Sequence, residues 1–338
     1  MRTAVDFNGS TYALVFDSAG TLAWYRIFPN PDLSVSFSQQ RNGNYTIYLG
    51  VSQGWQPGPG KFIEFTPAGD IVREWTAPPG SYVDGHEIIL TTDAATNQPV
   101  AHFFTYTIRT TDATAVGGTA TAPIAQHSLI RARQAGSPEI IWDSWDHFAL
   151  SDWILTPRFG PFDIDHPNSL DIASDGNYIV SWRHVSEITK INSTTGAVIW
   201  RLGGVHNQFT FIGDPLNGPS AQHYVRMTPQ GTLLVYDNGN LHSPSQTRAV
   251  EYRLDESAKT ATMVQQFRHT PLIYNSAVGT AQRLANGNTF VGYGLEPLVT
   301  EFAPDATVVW EGRIETTIPI GFYRFEKEYS LYSFSTPH

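Results

Sequence analysis

The chain has 338 residues, of which 15% are charged and 13% aromatic, and its formal net charge is −10. Soluble domains usually carry about 25% charged residues, so this composition favours a large buried core, and the acidic balance argues against a nucleic-acid surface. There is no cysteine, which excludes disulfides, thiol nucleophiles and cysteine-ligated zinc, and no apolar run approaches the ~20 residues that span a membrane.

The compartment is indicated only by short motifs. The N-terminal residues show no signal-peptide pattern, whereas Asn-x-Ser/Thr sequons begin at Asn8, Asn44 and Asn192. Such sequons accept glycans in secreted proteins. We therefore expect a secreted or extracytoplasmic protein.

In chain order, one pattern recurs: short apolar strands joined by turns of the Asn/Asp-Gly type, four strands to a unit. The closing strands are spaced roughly 40–70 residues apart, and each contains an aromatic residue: Trp24, Trp75, Trp142, Trp200, Phe267 and Trp310. Repeats of this size predict an all-β, six-bladed β-propeller of four-stranded blades, with residues 1–338 as a single domain.

The two chain ends are predicted to share one blade. The N-terminus supplies only the last two strands of a unit, at residues 11–16 and 21–26. The C-terminus supplies strand-like segments at 321–329 and 331–334. Together these pieces would close the ring and leave no long open sheet edge.

Polar residues recur where the predicted strands meet the central channel. His86, His166 and His223 each lie at the start of a first strand, which lines the channel in a propeller. Arg183 and Asn238 follow second strands, and because these run antiparallel, they end at the same face. The other histidines, on predicted outer strands and loops, are expected to be structural: His102, His127, His147, His206, His242 and His269.

A hairpin brings part of this set together locally. Two apolar runs joined by Asp175-Gly176 place His166 and Asn168 beside Arg183. A histidine, an amide and a guanidinium at one sheet edge suggest a site for a reactive, negatively charged oxygen group.

These segments resemble a known family. Gly85-His86-Glu87, His166-Pro167-Asn168-Ser169 with Ser181-Trp182-Arg183-His184, and Gln222-His223 are similar to the arylsulfotransferases that do not use PAPS, in their shorter branch. The resemblance covers roughly residues 80–325. It implies a channel histidine that becomes transiently sulfated, no cofactor, and small aromatic substrates.

The resemblance also implies residue roles. His223 is the expected nucleophile, and His86, His166, Asn168 and Arg183 are expected to bind the sulfuryl oxygens. Asn238 is expected beside the substrate, and Tyr224 and Trp182 could stack on an aryl ring. Imidazole is unprotonated for much of the neutral range, so we expect activity to fall on the acid side near pH ~6.5.

Two other interpretations stay open. Three channel histidines could bind zinc or iron, with Asp84, Glu87 and Asp165 nearby in sequence, although Arg183 would be unfavourable beside a cation. Alternatively, the propeller could serve as a cyclase, a binding module or a scaffold, because fold does not decide function. Oligomeric state does not follow from the sequence.

Overall fold

Antiparallel four-stranded sheets follow one another along the chain in the computed structural model, which describes residues 1–7, 9–29, 36–50, 60–134, 136–155, 162–315 and 321–328. They form the six blades of a β-propeller, which confirms the fold class. The sequon at Asn8 and the predicted strand at 331–334 lie outside these residues. No helix within the described ranges is long and apolar enough to cross a membrane.

The first three blades are built from eleven strands and one added short strand. Blade 1 contains β1 (Arg2–Phe7), β2 (Ser10–Phe16) and β3 (Leu22–Pro29). Blade 2 contains β4 (Phe37–Gln39), β5 (Tyr45–Gly50), β6 (Gly60–Phe65) and β7 (Ile71–Thr76). Blade 3 contains β8 (Tyr82–Thr92), β9 (Pro99–Thr111), β10 (Ala122–Arg133) and β11 (Glu139–Asp143), and β12 (Phe162–Asp163) pairs in parallel with β10.

The last three blades follow the same meander. Blade 4 contains β13 (Pro167–Ile172), β14 (Tyr178–Trp182), β15 (Glu187–Ile191) and β16 (Val198–Gly203). Blade 5 contains β18 (His223–Met227), β19 (Leu233–Asp237), β20 (Arg248–Asp255) and β21 (Thr260–Phe267), with β17 (Thr210–Ile212) added beside β21. Blade 6 contains β22 (Thr280–Arg283), β23 (Thr289–Tyr293), β24 (Leu298–Phe302) and β25 (Val308–Arg313).

Helical structure in the described part of the chain is limited to three single turns of 3-10 helix. They lie in and after blade 3, at Thr114–Val116, Ser144–Asp146 and Leu150–Asp152.

The core lies between the blades. Blades 3 and 4, for example, share a cluster in which Trp142 and Trp182 are 4.7 Å apart between ring centroids. Blades 4 and 5, 5 and 6, 1 and 2, and 2 and 3 share similar clusters. Middle strands such as β14 and β15 are therefore buried along their whole length, whereas β25 is largely exposed. Burial on both faces accounts for the mostly apolar sequence of β14, whereas β15 also buries Glu187, Thr189 and Lys190.

The ring closes as predicted through a shared blade, with one difference. Arg2 and Glu326 exchange backbone hydrogen bonds of 2.7 and 3.0 Å, which adds the C-terminal segment 321–328 to the inner edge of blade 1. Phe322 and Phe325 of this segment pack in a core cluster with blade 6. The N-terminus contributes three strands rather than two, because β1 pairs with β2 along its whole length.

Candidate active site

The first strands of blades 4 and 5 begin with an unusual backbone conformation. His166 has φ of 49° and Tyr224 has φ of 43°, and Val278, before the first strand of blade 6, has φ of 57°. Non-glycine residues rarely adopt this left-handed region, and such strained positions are enriched at functional sites. Register irregularities accompany these starts in blades 3, 4 and 5. Such bulges redirect side chains at strand ends.

Three histidines from three blades meet around a tyrosine of the C-terminal segment. The rings of His86 and His166 are 4.6 Å apart between centroids. Tyr323 lies 5.4 Å from His86 and 6.4 Å from His223. His184 stacks on His166, with 4.4 Å between the ring centroids. The predicted histidines of blades 3, 4 and 5 therefore belong to one cluster.

Arg183 also belongs to this cluster. Its positive charge lowers the pKa of both His166 and His223. One guanidinium nitrogen donates to the carbonyl of Ser276 at 3.0 Å, whereas its buried Nε meets no acceptor among the described residues. An unpaired buried donor carries a desolvation cost that an anionic ligand would relieve.

Asn168 is hydrogen-bonded to residues around the site. Its amide nitrogen donates to the carbonyl of Gln222 at 2.7 Å, which joins blades 4 and 5. The backbone carbonyl of Asn168 accepts hydrogen bonds from the Tyr323 hydroxyl and from Arg324. Asn168 therefore holds Tyr323 against the histidines.

The tautomer of His223 follows from its neighbours. Its Nδ1 lies 2.6 Å from Oδ1 of Asn238, and the amide nitrogen of Asn238 donates to the carbonyls of Asn275 and Val278. The Asn238 oxygen is therefore an acceptor, and His223 carries its proton on Nδ1. Its Nε2 accepts a single 3.2 Å hydrogen bond from the Val278 N–H.

His86 and His166 are oriented by carboxylates instead. Nδ1 of His86 lies 2.8 Å from Asp84, and Nδ1 of His166 lies 2.5 Å from Asp163. An ionised carboxylate accepts only, so each ring donates from Nδ1 and its Nε2 is left for other partners.

The electrostatics keep two of the channel histidines neutral. Burial, together with the charges of His86 and Arg183, holds the pKa of His166 well below its usual value. Burial and the charge of Arg183 likewise hold the pKa of His223 well below its usual value. Burial and the neighbouring His166 lower the pKa of His184 to about 3. A neutral imidazole keeps a lone pair that can act as nucleophile or ligand.

His127, expected to be structural, is part of this network. It lies on β10, and its Nδ1 is 2.6 Å from Asp165 while its Nε2 is 3.4 Å from Asp84. Burial disfavours its charged form, but Asp165 and Asp84 outweigh burial and raise the pKa of His127 well above its usual value. In turn, although burial opposes ionisation of Asp84, His86 and His127 lower the pKa of Asp84 far below its usual value.

Two residues proposed to stack on an aryl ring are packed away from solvent. Trp182 is completely buried between blades 3 and 4, and its ring nitrogen donates to Thr189. Tyr224 is 4% exposed and lies between the guanidinium groups of Arg226 and Arg324. The aromatic ring that lies against the histidines is Tyr323, which sequence reasoning missed because it follows the last repeat.

The geometry gives little support to a metal centre on the three channel histidines. Asp163, His166 and His184 do place potential ligand atoms within 4.8 Å of one another. However, this group contains only one of the three channel histidines, and Nδ1 of His184 donates to the carbonyl of Asp163 at 2.6 Å, which leaves Nε2 as its possible ligand atom. Glu87 is already paired with Arg226 and Arg324.

Comparison with known proteins adds a family and a fold. The arylsulfotransferase (ASST) family profile matches residues 147–315, half of the chain, including His166, Arg183 and His223. No curated protein matches the sequence.

Similar solved structures share the propeller at low sequence identity. A Bacteroides caccae protein of unknown function is 12% identical, covers 96% of each chain and has a TM-score of 0.55. A periplasmic gluconolactonase from Pseudomonas aeruginosa is 13% identical over 95% of this chain and 98% of its own, with a TM-score of 0.48. An inactive virginiamycin B lyase from Staphylococcus aureus is 12% identical over 84% and 70%, with a TM-score of 0.44. The first similarity shows the fold alone, and the other two have no weight for function. Because the family profile spans half of the chain and includes two of the clustered histidines with Arg183, this protein belongs to the arylsulfotransferase (ASST) family.

Proposed function

We propose that the protein transfers a sulfuryl group from an aryl sulfate to a phenol through a sulfohistidine at His223. One observation carries this proposal: a neutral, tautomer-fixed imidazole lies beside a buried guanidinium whose Nε has no acceptor in the described chain. A nucleophile and an anion-binding donor are the two groups that sulfuryl transfer requires. The site needs no cofactor for this chemistry.

His223 is suited to the nucleophilic role by its hydrogen bonds. Asn238 holds the proton on Nδ1, so the lone pair is on Nε2. Attack on sulfur requires that Nε2 leave the Val278 N–H, a single long hydrogen bond. That N–H is then free to donate to a sulfuryl oxygen. Arg183 would bind a second oxygen through its fork of donors.

The covalent intermediate divides the transfer into two displacements. In the first, the S–O bond to the donor breaks as the S–N bond to His223 forms, and the aryl oxygen leaves with the electron pair. In the second, a phenolic oxygen attacks the same sulfur and the electron pair returns to Nε2. Ping-pong kinetics are expected.

The test combines 4-nitrophenol release from 4-nitrophenyl sulfate with intact mass measurement. Wild type should release nitrophenol and gain one SO₃ in mass. His223→Ala should lose both, whereas His166→Ala should retain both, because neutral His166 directs its one N–H at Asp163 and has no donor for a sulfuryl oxygen. His206→Ala is a matched control, because His206 pairs with Asp152 and is 42% exposed.

Two outcomes would contradict the proposal at different levels. Turnover by His223→Ala, with none by His166→Ala, would mean that the nucleophile is misassigned. If wild type neither releases nitrophenol nor gains the adduct with any aryl sulfate tried, the sulfotransferase activity itself is refuted.

A further inference from the structure

We infer that His86 carries the proton of the transfer reaction, and that buried His127 positions it by acting through Asp84. This inference rests on the proposed function and deepens it. His86 is thereby given a role in proton transfer instead of only in sulfate binding.

A continuous line of alternating acids and imidazoles runs from the interior to the site. Asp165 lies 2.6 Å from Nδ1 of His127, and Nε2 of His127 lies 3.4 Å from Oδ2 of Asp84. Oδ1 of Asp84 lies 2.8 Å from Nδ1 of His86 and accepts the backbone N–H of His86 at 3.0 Å. The side chains of Asp165, His127 and Asp84 are 0%, 4% and 9% exposed. Solvent therefore cannot replace these contacts.

His127 lies between two carboxylates that both need a donor. A neutral imidazole donates from only one nitrogen, whereas the protonated ring donates from both. The contacts on both nitrogens therefore match a protonated His127, and the raised pKa of His127 agrees with this. The cation holds Asp84 ionised, and the two oxygens of Asp84 lie 2.8 and 3.0 Å from Nδ1 of His86.

Asp84 in turn fixes the orientation of His86. With Nδ1–H directed at the carboxylate, Nε2 of His86 is the nitrogen available in the cluster that His166 and Tyr323 line. His166 and His223 have pKa values well below the usual range, so neither carries near neutral pH the second proton that a general acid gives up. Among the three channel histidines, His86 is therefore the one suited to carry the proton.

The proton balances over the two displacements. In the first, Nε2–H of protonated His86 gives its proton to the aryl oxygen as the S–O bond breaks, and a neutral phenol leaves. In the second, neutral His86 takes the proton of the acceptor phenol as its oxygen attacks the sulfohistidine. His86 ends protonated, as it began, so no further reactant is needed. Such a group matters most for poor leaving groups.

Leaving-group dependence tests this role. Phenyl sulfate needs a proton on its departing oxygen far more than 4-nitrophenyl sulfate does, because phenolate is the stronger base. Asp84→Asn should slow turnover of phenyl sulfate by about 10²–10⁴, while release of 4-nitrophenol should fall by less than about tenfold. His86→Ala, which leaves Asp84 and His127 in place, should show the same split. Asp152→Asn, which removes the carboxylate of the Asp152–His206 pair, is the matched control and should show none.

The outcomes separate this inference from the proposed function. If both variants turn over phenyl sulfate and 4-nitrophenyl sulfate more slowly by the same factor, while wild type forms the sulfate adduct, the proton-transfer role is wrong. The sulfohistidine then stands. If neither variant changes the ratio between donors, the role is equally refuted. If wild type forms no adduct, the proposed function fails and this inference with it.

Discussion

Ring closure depends on Arg2, which joins blades 1 and 2 to the C-terminal segment. Its guanidinium forms ion pairs with Glu326 at 2.7 Å and Glu328 at 2.9 Å, and it donates to the carbonyl of Phe37. The side chains of Arg2 and Glu326 are 5% and 8% exposed. We predict that Arg2→Ala destabilises the whole protein and not only the N-terminal strand.

The magnitude follows from burial. Without Arg2, the carboxylate of Glu326 keeps the hydroxyl of Tyr224 at 2.5 Å as a side-chain donor, which cannot compensate a charge. Breaking a buried ion pair by removing one partner costs about 3–5 kcal/mol, a large share of the ~5–15 kcal/mol typical of folded proteins. The exposed pair of Lys61 and Glu74, at the same 2.7 Å, should contribute only about 0.2–1 kcal/mol.

Urea unfolding of Arg2→Ala and Lys61→Ala, followed by tryptophan fluorescence, measures both costs. Arg2→Ala should lower the free energy of unfolding by at least about 2 kcal/mol more than Lys61→Ala does. The two slopes against urea should agree, since both variants expose the same surface on unfolding. Equal midpoints for the two variants would show that the ring does not depend on this pair to close.

Two further predictions concern the site. Because burial and Arg183 lower the pKa of His223, the imidazole stays neutral well below pH 6.5, and the rate of adduct formation should hold through pH 6.5 and fall only in more acidic buffer. The pH at which the rate falls on the acid side should therefore lie below the ~6.5 of an ordinary histidine. Single-turnover nitrophenol release between pH 4 and 8 measures it. A fall centred near ~6.5 would contradict the prediction. Arg183→Lys should keep the charge but lose the fork, so kcat should fall by about 10²–10³ without abolishing the adduct. An unchanged kcat would remove Arg183 from the transition state.

The periodic features of the chain were predictable because they are local. Turns such as that at Gly176, with φ of 79°, and apolar runs such as β14 depend on nearby residues alone. Their repetition predicts the propeller, in which His166 and His223 lie at first-strand starts as expected, whereas His86 lies inside β8 at its register irregularity. The sequence therefore determined the fold class, the ring closure by both termini, and which histidines of the first strands come together.

The partners and charge states of the site were decided by the tertiary structure. His127 meets Asp84 and Asp165 only because different blades approach, and Tyr323 reaches the histidines only because the C-terminal segment returns to them. Trp182 adjoins the site in sequence, yet packing against blade 3 buries it completely. Whether an imidazole is neutral, like His223, or protonated, like His127, depends on the balance of burial and nearby charges. That balance is a sum over several blades, and no local pattern contains it.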